Sequence, residues 1–113
     1  MVFVVNKSLK MGSGKIASQT AHAAVSLYIK ATKSSKSLEI SSWLALGQPK
    51  IVLKVPDDQA IFELEKIASS LKILSVVIHD AGHTQIDAGS LTCLALFGKT
   101  SQLDAITGSL ALL

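Results

Sequence analysis

Four short apolar runs, separated by longer stretches of helical periodicity, constrain the fold of this chain more than any other feature of its sequence. The runs are too short for typical helices and rich in strand-forming side chains, and they cover residues 2–5, 51–55, 74–78 and 92–97. Apolar residues at helical spacing predict helices over about 15–33, over 37–46, after Asp57 and Asp58, and over 101–106. Because helices fall between the strands, the sequence predicts an α/β fold, in which helices pack on both faces of a four-stranded mixed sheet.

The flanking residues indicate how these elements end and which faces they bury. Gly47 is a good C-terminal cap for the second helix, and Asp57 and Asp58 are expected to cap the third helix at its start. The nearly continuous apolar run 51–55 predicts a strand buried on both faces. The apolar tail, residues 110–113, is expected to dock on the sheet. The buried stripe of the third helix is predicted to carry Ile61, Leu64, Ile67, Ala68 and Leu71.

The composition is that of one folded domain, residues 1–113. Apolar residues make up 49% of the chain and charged residues 17%, which excludes a disordered protein. No apolar stretch approaches the roughly 18 residues that span a bilayer, and the sequence contains no recognisable export signal. A single cysteine cannot form an internal disulfide, so we expect a cytoplasmic protein, or an organellar one if a longer precursor carries targeting residues.

The glycine-flanked turn that precedes the first helix is one candidate site. Gly12 and Gly14 would let the backbone approach a ligand closely, and the N–H groups of a helix start attract an anion. The spacing of a nucleotide-binding P-loop is not met, which argues against an ATPase. At about 100° per residue, Lys15, Gln19 and His22 lie within roughly 60° of one another on one helix face. The alternative is that Gly14 only eases a turn, while Lys15 is solvated and His22 lies in an interface.

The segment that follows the third strand is a second candidate, because ligands gather at strand ends in α/β folds. Asp80 is placed there to hold a lysine or a water molecule. An Asx-type turn is the structural alternative for Asp80 and Thr84. His79 and His83 have the separation of a helical zinc motif, but Gly82 and the missing glutamate argue against a metal site.

Other reactive or aromatic side chains give weaker signals. No serine lies in a nucleophile-elbow motif, and Cys93 lies within an apolar strand, where a buried core thiol is expected. Trp43 could stack a nucleic-acid base, although a lone tryptophan on a helix more often anchors a core. The net charge of +3 comes with eleven basic residues, all lysine, so phosphate contacts would use ammonium groups and backbone N–H groups rather than guanidinium.

Several blocks of sequence resemble the archaeal and eukaryotic type of peptidyl-tRNA hydrolase. They are residues 9–25 (LKMGSGKIASQTAHAAV), 47–55 (GQPKIVLKV), 80–86 (DAGHTQI) with Gly89 and Thr92, and the ending 106–113. Together they cover essentially the whole chain in the order of the family. The resemblance implies cleavage of the ester between a peptide and the 3′ ribose of tRNA, with no metal and no cofactor, and with peptidyl-tRNA as the substrate.

The resemblance also implies which residues form the site. The family's functional lysine, aspartate and threonines correspond to Lys15, Asp80, Thr84 and Thr92, and His22 lies in the matching helix. We therefore expect Lys15, Asp80, Thr84 and His22 to be catalytic. The residues expected to bind substrate are Gly12, Gly14, Gln19, His83, Gln85 and Thr92. Neither the residues nor the resemblance decides between a monomer and a homodimer.

Four positions depart from the family pattern. Asn6 and Ser8 stand near a usual arginine and aspartate, which is expected to alter substrate affinity, and Ser13 replaces a usual lysine. His83 replaces a usual arginine or lysine, so part of the local positive charge becomes pH-dependent. We predict that tRNA binding strengthens as the pH falls through about 6.5. An affinity that is constant between about pH 5.5 and 8 would contradict this prediction.

Two non-catalytic functions remain open at this point. The first is a module that holds tRNA or another polyanion at the helix start from Gly12 to Lys15 and catalyses nothing. The second is an adaptor that binds a partner through its apolar helices.

Overall fold

The computed structural model describes residues 1–81 and 89–113. In these two ranges, four strands and four α-helices follow one another in the order β1, α1, α2, β2, α3, β3, β4, α4. Their bounds are β1 Val2–Asn6, α1 Ser13–Thr32, α2 Ser37–Ala45, β2 Ile51–Val55, α3 Asp58–Ser70, β3 Leu74–His79, β4 Leu91–Phe97 and α4 Thr100–Thr107. The predicted elements are therefore present, and their ends differ from the sequence-based bounds by no more than about two residues.

The strands form one mixed sheet in the order β2-β1-β4-β3. β1 pairs in parallel with β2 and antiparallel with β4, and β4 pairs antiparallel with β3. The carboxyl ends of β1, β2 and β3 consequently lie at the same end of the sheet, together with the start of β4. We call this end the carboxyl end of the sheet, since the candidate site lies there.

Helices cover both faces of the sheet, as predicted. On one face, Phe3, Cys93 and Phe97 pack with Leu27 of α1 and Ile40 of α2. The other face packs against α3 and α4, through a core that contains Val4, Leu94, Ile61, Leu103 and Ile106. Neighbouring residues of β1 and β4 point to opposite faces, as the two-residue period of a strand requires.

The prediction that β2 is buried on both faces is wrong. β2 is an edge strand with β1 as its only named neighbouring strand, and Ile51 and Lys54 are exposed while Leu53 and Val55 are buried. Leu53 and Val55 pack into the core on one face of the strand, and Val52 packs partly on the other. The faces of an edge strand are covered by helices less completely than those of a central strand.

The C-terminal tail docks on this free edge, as expected. Leu112 forms an isolated antiparallel bridge with Leu53, and the N–H of Leu113 donates to the carbonyl of Val52 at 3.1 Å. Leu110 packs against the core, whereas the side chains of Leu112 and Leu113 stay largely exposed. The tail thus covers backbone groups of β2 rather than a face of the sheet.

Helix α3 agrees only partly with its prediction. Asp57 is the N-cap and accepts a hydrogen bond from the N–H of Ala60 at 2.9 Å, but Asp58 is the first helical residue and does not cap. Ile67 and Leu71 are exposed. The buried face is narrower than the predicted stripe because the helix lies on the sheet through Ile61, Leu64 and Ala68.

The turn between β1 and α1 contains an element that the sequence did not predict. Lys7–Leu9 form a short 3₁₀ turn, and Lys10 follows it with a φ of 51°, in the left-handed region. α1 then begins at Ser13, two residues before the predicted start. At the end of α2, Gly47 has a φ of 100°, so its predicted role in ending that helix is confirmed.

Cys93 has the environment of an inert core thiol. Its side chain is fully buried in β4, and this burial raises the pKa of Cys93 from 9.0 to about 12. The stabilising effect of the neutral thiol is therefore complete below about pH 9 and is lost as the pH rises toward 12.

We predict that Cys93 reacts slowly with a chromogenic thiol reagent at pH 8. The higher pKa alone lowers the thiolate fraction about a thousandfold relative to an ordinary thiol, so the native protein should react about 10³-fold more slowly than the protein in denaturant. The rates are followed by absorbance. Equal rates for native and denatured protein would show that Cys93 is accessible.

Candidate active site

The chain brings polar side chains from distant segments together at the carboxyl end of the sheet. β1 ends there at Asn6, β3 ends at His79, β4 begins at Leu91, and α1 starts close to the end of β1. Segments far apart in sequence meet because β1 and β4 pair directly in the centre of the sheet. Such strand ends are the usual place for ligands in open α/β sheets.

Lys15 and Asp80 form an ion pair at this end of the sheet. The ammonium Nζ of Lys15 donates to Oδ1 of Asp80, across a separation of 65 residues. Only 8% of the Lys15 side chain and 2% of the Asp80 side chain are exposed. Because water screens a buried pair less than a surface pair, these charges act more strongly on a bound molecule.

The position of Lys15 is unfavourable for the helix that carries it. Lys15 is the third residue of α1, where the positive end of the helix dipole disfavours a cation, and the first turn contains no acidic residue. Asp80 supplies the missing negative charge from another part of the chain. A residue whose charge is unfavourable for its own helix is typical of functional sites.

Two backbone hydrogen bonds hold Asp80 in place. Its N–H donates to the carbonyl of Ser90 at 2.8 Å, and its carbonyl accepts from the N–H of Gly89 at 2.8 Å. Gly89 has a φ of 82°, a conformation that glycine adopts without strain. The ends of the connection between β3 and β4 are thus clamped together, and the carboxylate of Asp80 projects from this clamp.

Thr92 and Gln19 form a second contact between β4 and α1. The strand register shifts at this point, with Ile78 opposite Cys93 and His79 opposite Leu91, so Thr92 is an extra residue in a β-bulge. Its Oγ1 donates to Oε1 of Gln19 at 2.7 Å and also lies 3.1 Å from the carbonyl oxygen of Ile78. Thr92 is fully buried and Gln19 nearly so. In this arrangement Thr92 orients Gln19 instead of contacting solvent.

The predicted helix face is therefore divided between different partners. Lys15 contacts Asp80 and Gln19 contacts Thr92, whereas the exposed ring of His22 makes no hydrogen bond or ion pair with the described residues. Gly12 is the N-cap of α1 in an extended conformation. Gly14 has open space where a Cβ would lie. The roles predicted for both glycines and for His22 remain predictions.

The other predicted residues of the second segment lie mostly outside the described part of the chain. His83, Thr84 and Gln85 belong to residues 82–88. His79 ends strand β3, and its Nδ1 lies 3.0 Å from the carbonyl oxygen of Gly89, so the helical zinc motif considered above does not include it. Among residues 1–81 and 89–113, no three His, Cys, Asp or Glu side chains are grouped to hold a metal ion.

Asn6 ties the end of β1 to the start of β4 and to α3, and this role was not anticipated from the sequence. Its side chain is fully buried, and Nδ2 donates to the carbonyl of Leu91 at 2.9 Å and to Oδ1 of Asp58. Its Oδ1 accepts from the N–H of Ser8 at 3.0 Å and from the Ser8 hydroxyl at 2.7 Å. The only local signal was an asparagine at the end of a strand, which is typical of an Asx turn. Because Asn6 is buried, any effect of it on substrate affinity is indirect.

We predict that Asn6→Ala lowers the free energy of unfolding by about 2–3 kcal/mol, since it removes four hydrogen bonds and leaves the buried carbonyl of Leu91 without this donor. Urea titration followed by circular dichroism measures the effect. Ser8→Ala, at an exposed position of the same network, is the matched control and should cost under about 1 kcal/mol. Equal losses in the two variants would mean that Asn6 has no special role.

Trp43 is partly buried and packs against the core. Its ring meets Phe97 edge-to-face, with centroids 6.2 Å apart, and its Nε1 donates to the carbonyl of Pro49 at 2.9 Å. Nζ of Lys50 lies 5.0 Å from the ring centroid. The anchoring interpretation made from the sequence agrees with these contacts.

Comparison with known proteins identifies the family. The family described as peptidyl-tRNA hydrolase PTH2 matches residues 1–113. The peptidyl-tRNA hydrolase of Thermoplasma volcanium is 47% identical over 115 residues, covering all of this chain and 97% of that protein. The probable peptidyl-tRNA hydrolase 2 of Caenorhabditis elegans is 44% identical over 114 residues, and the mitochondrial peptidyl-tRNA hydrolase 2 of Mus musculus is 42% identical over 113. This chain spans 36% of the nematode protein and 62% of the mouse protein.

The chain therefore belongs to the peptidyl-tRNA hydrolase family PTH2. The resemblance seen in the sequence is confirmed, and with it the assignment to a class of hydrolases. In the part of the chain that the structure describes, no helix combines the length and the apolar character needed to cross a membrane.

Proposed function

We propose that this protein hydrolyses the ester bond between the peptide and the 3′ ribose of peptidyl-tRNA, and that Lys15 and Asp80 form the centre of its active site. The observation that carries the proposal is the desolvated ion pair between these side chains, in a chain that matches the hydrolase family over its full length. The pair lies where three strands end and a helix begins.

The reaction needs little chemical assistance, because an ester already has a fair leaving group. A water molecule attacks the carbonyl carbon, and the bond between that carbon and the ribose 3′ oxygen breaks. One proton of the water is transferred to the 3′ oxygen, so the products are the peptide carboxylic acid, which ionises, and a tRNA with a free 3′ hydroxyl. The protein has to orient the water, accept its proton and stabilise the negative charge on the carbonyl oxygen.

Lys15 and Asp80 divide these tasks. The ammonium of Lys15 stabilises the developing oxyanion or a terminal phosphate of the substrate. Asp80 holds that ammonium in place and polarises the attacking water. Thr84, carried over from the family resemblance, orients the water or the terminal ribose.

Gln19 is proposed to bind the substrate beside Lys15, one helical turn further along α1. Its carbonyl oxygen is engaged by Thr92, which leaves the amide N–H groups for an acceptor on the ribose or the peptide. Thr92 is then a positioning residue and not one that touches the substrate. The β-bulge that places Thr92 opposite α1 is part of this arrangement.

The phosphates of the tRNA are proposed to contact exposed lysines near the site. Lys7 and Lys54 line an open groove of about 400 Å³, beside the carboxyl ends of β1 and β2. Both side chains are exposed, and neither forms an ion pair within the described residues. Such lysines contact phosphates as point charges without reading sequence.

Incubation of the pure protein with an N-blocked aminoacyl-tRNA, with and without a chelator, tests the proposal. We expect release of the blocked amino acid at the same rate in both samples. Binding that protects the ester without releasing it would favour the polyanion-binding module, and the absence of both would favour the adaptor. Loss of release with chelator would show that a metal takes part.

Two further attributes remain proposals. The single cysteine, which cannot form an internal disulfide, supports a cytoplasmic location, although the mouse relative is named as mitochondrial. Analytical ultracentrifugation would decide between the monomer and the homodimer that the sequence left open.

A further inference from the structure

A second cleft lies at the opposite end of the sheet from the candidate active site. It has a volume of about 490 Å³ and is bounded by α2, the turn before β3, the end of β4 and the start of α4. We call it the Trp43 cleft. The six residues of β3 separate Ile73, which lines the cleft, from Asp80. At about 3.3 Å per residue, the two sites are therefore at least about 20 Å apart.

The walls of the Trp43 cleft are largely apolar. Trp43, Leu46, Pro49, Ile73 and Phe97 line it. Ile73 and Phe97 form a buried floor, whereas Leu46 is 80% exposed at the rim. The volume and this lining fall within the range of pockets that hold small organic molecules.

The charged side chains that line the cleft are mostly positive. Lys36, Lys72 and Lys99 line it, against a single carboxylate, that of Glu39. The structure shows no ion pair for any of these four side chains in its described part. The cleft therefore combines an apolar interior with a net charge of +2 from its lining side chains, counted as three lysines less one glutamate.

We propose that the Trp43 cleft binds a small apolar molecule that carries a carboxylate. The apolar body lies against Ile73 and Phe97, and the carboxylate lies among the lysines of the rim. This site does not depend on the hydrolase activity proposed above, because none of its residues belongs to that site.

Two other occupants fit the observations less well. A second copy of the chain in a two-fold interface would bring the same three lysines against one another, which is repulsive. A nucleic-acid base would need an open aromatic face, but Lys50 lies over the ring of Trp43, and Phe97 meets it edge-to-face. A carboxylate with an apolar body satisfies both the lining and the charge.

Trp43 is the only tryptophan of the chain, so its fluorescence reports binding directly. Titration with octanoate is expected to give a saturable change with a Kd of about 1 mM, the order that a ligand of this size reaches. Octanamide, which lacks the charge, should bind about tenfold more weakly. An acetylated Gly-Leu-Leu peptide with a free C-terminal carboxylate distinguishes the source: tighter binding of this peptide indicates a peptide end, and tighter binding of octanoate indicates a free acid.

Leu46→Glu and Leu38→Glu locate the binding site. Both leucines are 80% exposed on or next to α2, but only Leu46 lines the cleft. Leu46→Glu should weaken octanoate binding at least about tenfold, and Leu38→Glu should change it less than about twofold. Equal binding of octanoate and octanamide, equal effects of the two variants, or tighter competition by adenosine monophosphate would overturn the proposal. The proposal would also be overturned if ultracentrifugation showed a dimer of the wild-type protein and the Leu46→Glu variant were a monomer.

Discussion

Replacing Lys15 by methionine is expected to lower kcat/KM for an N-blocked aminoacyl-tRNA by about 10²- to 10³-fold, the typical effect of removing a donor that stabilises an oxyanion. Methionine keeps much of the length of the side chain but loses the charge that contacts Asp80. The loss should be mainly in kcat, because the oxyanion forms only in the transition state. Release of the blocked amino acid under saturating and limiting substrate separates kcat from KM.

Lys66→Met is the matched control for this experiment. Lys66 is an exposed lysine of α3 and makes no ion pair with any described residue. Its replacement removes the same charge from the protein but should leave kcat within about twofold of the wild type. If the two variants were equally active, Lys15 would have no part in the chemistry. A loss in KM alone would assign Lys15 to phosphate binding.

Asp80→Asn is expected to affect both stability and rate. The substitution leaves the ammonium of Lys15, which is 8% exposed, without its carboxylate. Breaking a buried pair from one side costs about 3 kcal/mol in the free energy of unfolding, which urea titration measures. The rate should fall at least about 10²-fold, since the water loses its proton acceptor.

The double variant Lys15→Met with Asp80→Asn separates these two effects. With both charges removed, most of the lost stability should return, because no unpaired charge stays buried. The activity should stay at the level of the less active single variant, since residues that act together are not additive. Additive losses of stability would contradict the coupling of the two groups. Recovery of activity in the double variant would contradict the proposed catalytic roles.

The local pattern of the sequence was sufficient to predict most of the helices and strands. Runs of β-branched residues mark the strands, and Asp57 and Gly47 mark helix ends, because these signals act through neighbouring residues. The same reasoning overestimated the burial of β2 and α3. Whether Ile51 or Ile67 is covered depends on what lies beside the strand or helix, and strand order is not a local property.

The spacing of residues along the sequence predicted less of the candidate site than of the secondary structure. Nothing in the local sequence says that Lys15 meets Asp80 or that Asn6 reaches Leu91, because these contacts join residues 65 and 85 positions apart. The family resemblance pointed to Lys15 and Asp80 but not to the network of Asn6. The register shift that makes Thr92 a bulge residue also required the pairing of β3 with β4 to be known.

The clamp formed by Asp80, Gly89 and Ser90 makes the placement of the Asp80 carboxylate depend on main-chain hydrogen bonds. These bonds join the end of β3 to the residues just before β4, so they tie Asp80 to the base of the hairpin. A substitution that distorts the main chain at Gly89 is therefore expected to displace the carboxylate, even when Lys15 and Asp80 are both retained.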